Sequence, residues 1–501
     1  MHIIHLLIYI SATVLFLLST ILGQEEGIQL DPEEISTLQS QMEDMEFLKF
    51  AKYNGHFRFR IAPNSQADRW HQRNWLDAGH WGAGYRMDKS VEDDQWQVTR
   101  YAFKTSFNKI QFYGGHLRQE WGQGLLFGNS FGRAKSASQP LSIFRNEVKI
   151  NYHLGAVIQD PVIGVAGTTP RFGMSHTGLF SVSGEDKIFS YSSVKEMGRL
   201  RIGGMITKRS SVDDGVTSWA SMMINWDDEV LSFSGEAAID QQNRSAVINV
   251  IHEDQVLQWG LHYRYYSPDW APVFGEPYAL LHSGRNETGV MGIIRYGVKK
   301  ILITSWLDIY RELNSDTGFP ADRGSDWMIQ MDMPELFSGK LSVQWREKQH
   351  RTTRDLIFSG LVRKVQTPVN RSQMSFTWTS AFPSWKLKYQ RLTVDQDTEF
   401  HESGQLIAFY SPDINISKLT IKSGCVFFST DSWNSRMYAW IPGLQGEFRF
   451  PSYSQSGIEI FSKWNYELTL QKNVSFRHSY MWKNDANLMT NDLRFQFEST
   501  F

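Results

Sequence analysis

The chain has 501 residues and carries 51 Lys and Arg against 53 Asp and Glu, a formal net charge of −2, with 14% aromatic residues at a mean hydropathy of −0.38. The balanced charge gives no global attraction to nucleic acid or to an acidic lipid surface, and beyond residue 22 no apolar run approaches the ~20 residues of a spanning helix, which excludes a helical membrane protein. The single Cys425, beside Val426, Phe427 and Phe428, excludes a disulfide framework and a thiolate metal cage.

Residues 3–22 are almost continuously apolar, broken only by His5, Ser11, Thr13, Ser19 and Thr20, and run into Gly23-Gln24-Glu25-Glu26. This predicts an export signal over 1–23, routed through the general secretory pathway to the outer membrane of a Gram-negative bacterium. The alternative is an uncleaved anchor, since no Lys or Arg precedes Lys49. Residues 24–52 follow as an acidic periplasmic segment, in which Glu25, Glu26, Asp31, Glu33, Glu34, Glu43, Asp44 and Glu46 give a local charge of −8 over 24–48. Asp31 is placed as an N-cap, Pro32 at the first helical position and Glu34 to close a capping box, while Ile35, Leu38, Met42 and Met45 form one stripe. A short N-terminal helix is therefore expected, capping the barrel rim or plugging the lumen.

From 53 to 501 the chain alternates with period two. Leu257, Trp259, Leu261, Tyr263 and Tyr265 oppose Gln258, Gly260, His262 and Arg264; Leu231, Phe233, Ala237 and Ile239 oppose Ser232, Ser234 and Glu236; Met374, Phe376 and Trp378 oppose Ser375 and Thr377. Compact polar turns such as Asp240-Gln241-Gln242-Asn243, Lys299-Lys300 and Ser411-Pro412-Asp413 separate these runs. At the end of the chain Leu493, Phe495, Phe497 and Phe501 share one face against Arg494, Gln496 and Glu498, so Phe495, Phe497 and Phe501 are the expected signal for the barrel-assembly machinery. The pattern predicts an all-β fold, a transmembrane antiparallel β-barrel of about 20–26 strands set in outer-membrane lipid. A soluble sandwich also alternates, but it hides aliphatic faces rather than Trp, Tyr and Phe.

One stretch departs from the strand pattern. Between Gly114 and Arg133 glycines stand at 114, 115, 122, 124, 128 and 132, with no βαβ unit around them, so the segment is not a dinucleotide site. It suits a bulged or inward-folded segment, and Arg118, Glu120, Gly122, Gly124, Gly128, Arg133 and Lys135 are the expected constriction of a pore; the alternative is an exposed loop. On the wall from 375 onward, Lys386, Lys388, Lys418, Lys422, Arg449, Arg477 and Arg494 are placed inward against Glu447, Glu467 and Glu498. This basic excess implies weak anion preference, unless partners elsewhere, Glu236 for example, neutralise it.

Gly122-Gln123-Gly124-Leu125-Leu126-Phe127-Gly128, continuing to Phe131-Gly132-Arg133-Ala134-Lys135-Ser136, resembles the "fGqGL…fgKS" box of a family of outer-membrane barrels named for an N-terminal helix-hairpin-helix domain. The run from Phe428-Ser429-Thr430-Asp431 through Arg436-Met437-Tyr438-Ala439-Trp440 to Phe450-Pro451-Ser452-Tyr453 is similar to that family's "FdTDsyd-RiYaYE…FsfPayygkG" region, and Leu493-Arg494-Phe495-Gln496-Phe497 to its "LRlQ…F" ending. The resemblance covers most of the barrel and implies that fold. Two departures stand out: residues 24–52 lack the Gly-hydrophobic-Gly turn of the helix-hairpin-helix, so no nucleic acid partner is expected, and Trp440 is followed by Ile441-Pro442 where the family has an acid.

No G-x-S-x-G or H-E-x-x-H spacing occurs, and His252-Glu253-Asp254 and Asn314-Ser315-Asp316-Thr317-Gly318 lie in turn-like stretches without a full ligand set. No catalytic residue, cofactor or metal ligand is assigned. The sequence points to a porin-like channel or transporter for small polar or anionic solutes, with a non-conducting scaffold barrel as the main rival and an outer-membrane hydrolase as the third reading.

Overall fold

In a computed structural model the described residues are 54–501, apart from 62–69, 79, 90–94, 129–134, 145–146, 155–161, 184–185, 214, 273, 281–283, 315–320, 337, 359–360, 397–399, 446, 448, 485–487 and 501. The export signal, the acidic segment with its short helix, Arg133 and Phe501 lie outside them.

Twenty-four strands form a closed antiparallel ring, within the range expected from the sequence. Each strand pairs with its chain neighbours, and the ring closes where Asn54–Ile61 meets Leu488–Thr500 in register from His56↔Thr500 to Ile61↔Phe495. Closure satisfies every edge, the condition for a sheet to sit in lipid. Connections at the end bearing the C-terminus are tight: Asn108 and Lys109 both take positive φ (48° and 69°), as a two-residue hairpin turn requires. The long connections leave the opposite end, the extracellular one in barrels of this type.

The two faces separate as the alternation predicts. On Leu257–Tyr266, Leu261 is 50% and Tyr263 41% exposed, whereas His262 and Arg264 are buried at 1% and 0%. The same contrast sets Ile239 against Glu236, and Trp482 against Arg477 and Ser479. An outer face of Ile, Leu, Phe, Tyr and Trp against an inner face of Ser, Thr, Asn, Glu and Arg has only one solvent on its outside, and that solvent is lipid. The protein is a membrane-spanning barrel of the outer-membrane type.

The lumen is not uniformly polar. Val194, Met205, Met223 and Val247 on one arc, and Leu392, Val394, Leu406, Ala408 and Val426 on another, point inward and are buried. These apolar patches receive two segments that fold into the bore from long connections, one spanning residues 115–154 and the other 431–455.

Candidate functional site in the lumen

The first inward segment begins where Ile110–Gly122 changes partners. Residues 110–115 pair with Trp96–Phe107, residues 111–117 with Val162–Arg171, and residues 117–122 turn to pair with Glu147–Tyr152, which lies off the ring. Gly115 makes the departure possible: its φ is +89°, and a Cβ there would stand 2.3 Å from the Tyr101 carbonyl oxygen. Beyond it Leu117, Trp121, Leu125, Leu126 and Phe127 pack on the inner-wall patch.

The turn at 122–125 is held by a carboxylate. Glu236, 2% exposed on the inner face of Leu231–Ile239, accepts from the backbone N–H of Gln123 (2.6 Å) and Leu125 (3.2 Å) through Oε2, and from Ser221 Oγ (3.1 Å) through Oε1. Trp121 Nε1 donates to the same Ser221 hydroxyl at 2.7 Å. Gly122, at φ +52°, leaves room for the carboxylate, since a Cβ would lie 2.7 Å from Glu236 Oε2. Two backbone amides of one turn converge on an anion, the Gly124 N–H between them donating to the Trp121 carbonyl instead, and here the anion belongs to the wall.

Further along, Lys135 enters a buried ionic cluster. Its Nζ lies 2.5 Å from Asp326 and 3.3 Å from Asp308, over the rings of Trp306 (5.7 Å) and Tyr278 (5.8 Å). Arg264 bridges Glu287 and Asp308, Arg346 grips Asp326 at 2.7 Å, and Tyr278 donates to Asp308 at 2.7 Å. Three cations meet three carboxylates, so the cluster is neutral and cross-links the segment to five strands. Burial pushes the Lys135 ammonium below its ordinary range against the pull of both aspartates.

The second inward segment carries Met437, Ala439, Ile441 and Tyr453 onto the other apolar patch. Near its end Glu447 pairs with Arg477 (3.1 Å) and with Arg494, while Arg449 pairs with Glu459 (3.0 Å) and Asp492. Burial works against the Glu447 charge, but Arg477 and Arg494 hold its carboxyl below the usual range. The Gln445 carbonyl accepts from Arg60 of the first strand (2.9 Å) and Gln496 of the last (3.3 Å).

Two rows of bases run around the remaining inner wall. Lys422, Lys463, Arg477 and Arg494 are in register on four successive ring strands, and Arg58, Arg73, Arg86 and Arg100 on the next four. Like charges directly opposite repel, so each row needs anions. Asp413 reaches Lys422 (2.7 Å), Glu498 reaches Arg58 (2.9 Å) and Asp88 reaches Arg86 (2.8 Å), whereas Arg73 has no ion pair among the described residues.

Of the residues singled out in the sequence, Arg118 and Glu120 pair with each other (2.7 Å), and Lys149 joins Glu120 at 3.3 Å. Gly122 and Gly124 form the anchored turn, Gly128 packs on Glu276, and Lys135 lies in the neutral cluster. Lys386 and Lys388 lie on the inner face, with Lys386 over the Tyr410 ring, and Lys422, Arg477 and Arg494 stand in the first basic row. Arg449 is on the inward segment rather than on a strand, and Lys418 sits in a tight turn where it donates to the Leu468 carbonyl (3.2 Å). Phe495 and Phe497 lie on the outer face of the last strand, Phe497 at 6.0 Å from the Phe57 ring. Sequence reading missed Lys463 and the Arg58–Arg100 row, because only the register aligns them. Among the described residues no group of three or more His, Cys, Asp or Glu side chains is arranged to hold a metal ion.

No family model and no curated protein matches the chain. Among solved structures it is similar to the siderophore receptor PirA from Pseudomonas aeruginosa (6% identity, 90% of this chain and 81% of that one, TM-score 0.45) and to the P pilus usher translocation pore (8%, 90% and 99%, 0.42). It is also similar to Wzi, an Escherichia coli outer-membrane protein described as a carbohydrate-binding barrel (10%, 68% and 87%, 0.37). All three scores lie below 0.5, so the assignment to the membrane rests on this chain's own closed ring and lipid-facing belt.

Proposed function

We propose that the protein is a constricted outer-membrane channel for small polar solutes with a preference for anions. The observation that carries this reading is the pair of in-register basic rows on the inner wall. In the arc formed by the last strand and the first four, Trp75 and Ala102 pack in one small cluster with Tyr152 and Leu154 of the first inward segment. A basic strip beside low-dielectric packing concentrates anions. Reconstitution in a planar bilayer under a KCl gradient tests it: the wild type conducts with a reversal potential on the anion side, and Arg73→Glu with Arg100→Glu moves it toward cations. Silent bilayers from folded protein would overturn the channel reading. They would favour the second one, a non-conducting scaffold, which the hydrophobic clusters filling much of the bore support.

A further inference from the structure

A third row of bases faces the other way. Arg311 is paired directly with Arg323, and the next strand continues that register with Ser325 opposite Gln349, which sets Arg351 beside Arg323. Thr288 flanks the row at one end and Pro368 at the other. All three arginines point outward: on the same face, one pair of residues toward the membrane, Ile309 is 56% and Val290 54% exposed, while the intervening Tyr310 and Asp308 are buried in the lumen. The row lies at the extracellular end of its strands. Below it stands Trp327, stacked at 6.4 Å on Trp345, which shares its register row with the lipid-facing Ile294, Ile329 and Met374. The arginines therefore stand just above an interfacial aromatic pair, at headgroup height.

Three guanidinium groups side by side on neighbouring strands repel one another, and none is ion-paired among the described residues. The neighbouring carboxylate of Asp322 accepts through Oδ1 from the backbone N–H groups of Arg323 (2.7 Å) and Arg351 (3.2 Å). The row borders a groove of about 950 Å³ lined also by Val290 and Ile309 and, under Arg323 and Arg351, by the polar Ser325, Gln349, Asn370 and Asp395. Cationic forks beside Val290 and Ile309, whose strands continue on the same face into the lipid-facing Ile294 and Leu307, match one kind of ligand, a phosphate attached to acyl chains.

We propose that this groove binds a phosphorylated glycolipid of the outer leaflet, with Arg311, Arg323 and Arg351 on its phosphate and the acyl chains laid over Val290 and Ile309. The test uses the purified full chain in detergent, with bis-phosphorylated lipid A and the same lipid stripped of phosphate as probes. Lipid retained after detergent exchange is counted by native mass spectrometry, and unfolding midpoints are recorded in parallel. The wild type should retain the phosphorylated lipid at least about tenfold better than the stripped one, as charge-assisted pairing predicts, and be stabilised only by the former. The triple variant R311Q/R323Q/R351Q should lose both effects. Without lipid its midpoint should equal or exceed that of the wild type, because the repulsion is gone.

Equal retention of the two lipids by the wild type would overturn the proposal, as would undiminished discrimination by the triple variant. Stabilisation of the wild type by millimolar inorganic phosphate to the same extent as by lipid A would also overturn it, since the site would then hold free anions. If the triple variant fails to fold, the wild-type comparison of the two lipids still decides.

Discussion

Replacing Glu236 with Ala removes the anchor of the first inward segment while leaving the wall strand intact. The carboxylate accepts two backbone N–H groups, from Gln123 and Leu125, and one hydroxyl, from Ser221. Hydrogen bonds to a charged acceptor contribute about 1.5–3 kcal/mol each, and the buried donors left behind lose that anion. Taking the two backbone bonds at the low end gives roughly 3 kcal/mol for local opening, which is about 150-fold in the open population. Hydrogen–deuterium exchange of the peptide covering 121–127 reads that population directly. Exchange at Gln123 and Leu125 should accelerate by about that factor, while the amides of Leu257–Tyr266 stay protected; Glu236→Gln, which keeps an acceptor without the charge, should fall between. If Glu236→Ala folds and the 121–127 peptide exchanges at the wild-type rate, the Glu236 carboxylate does not hold the segment.

Two further outcomes follow from the same geometry. Lys135→Met leaves Asp308 and Asp326 with one cation too few in a buried cluster, a loss of about 3–5 kcal/mol that adding Asp326→Asn should partly restore in a double-mutant cycle read by urea unfolding. Leu261→Arg puts a charge on the lipid face and should cost about 2–4 kcal/mol near the midplane, whereas Asp254→Arg, in an exposed turn, should change the unfolding midpoint little; equal effects would contradict the assignment of faces.

The wall was legible because lipid imposes a strict rule on every second residue. Leu261 and Tyr263 against His262 and Arg264 needed no tertiary information, and neither did the turns at 240–243 and 299–300. The inner surface follows no such rule. Met205, Val194, Leu406 and Ala408 are apolar because particular segments land on them, and a reading that assigns the lumen to water has no reason to expect this. Glu236 shows the same gap: as a sequence feature it is a counter-charge for wall bases, and in the fold it serves backbone amides of a glycine turn instead. The glycines of 114–128 signalled an unusual backbone path, but no feature of Met437, Ala439 and Ile441, which alternate like a strand, distinguished the second inward segment from the wall. The Arg58, Arg73, Arg86 and Arg100 alignment is a property of register, which a single chain does not display before its strands pair.

The carbonyl of Gln445 touches both Arg60 and Gln496, and Glu447 holds Arg494 close by. The second inward segment therefore straddles the one junction in the ring whose two strands are remote in sequence, and works there as a bolt thrown from inside. A cylinder without that bolt would part most easily between its first and last staves, which the sheet ladder alone would then join. With it, the seam is gripped from the lumen side as well, so opening it also requires lifting the segment off both staves.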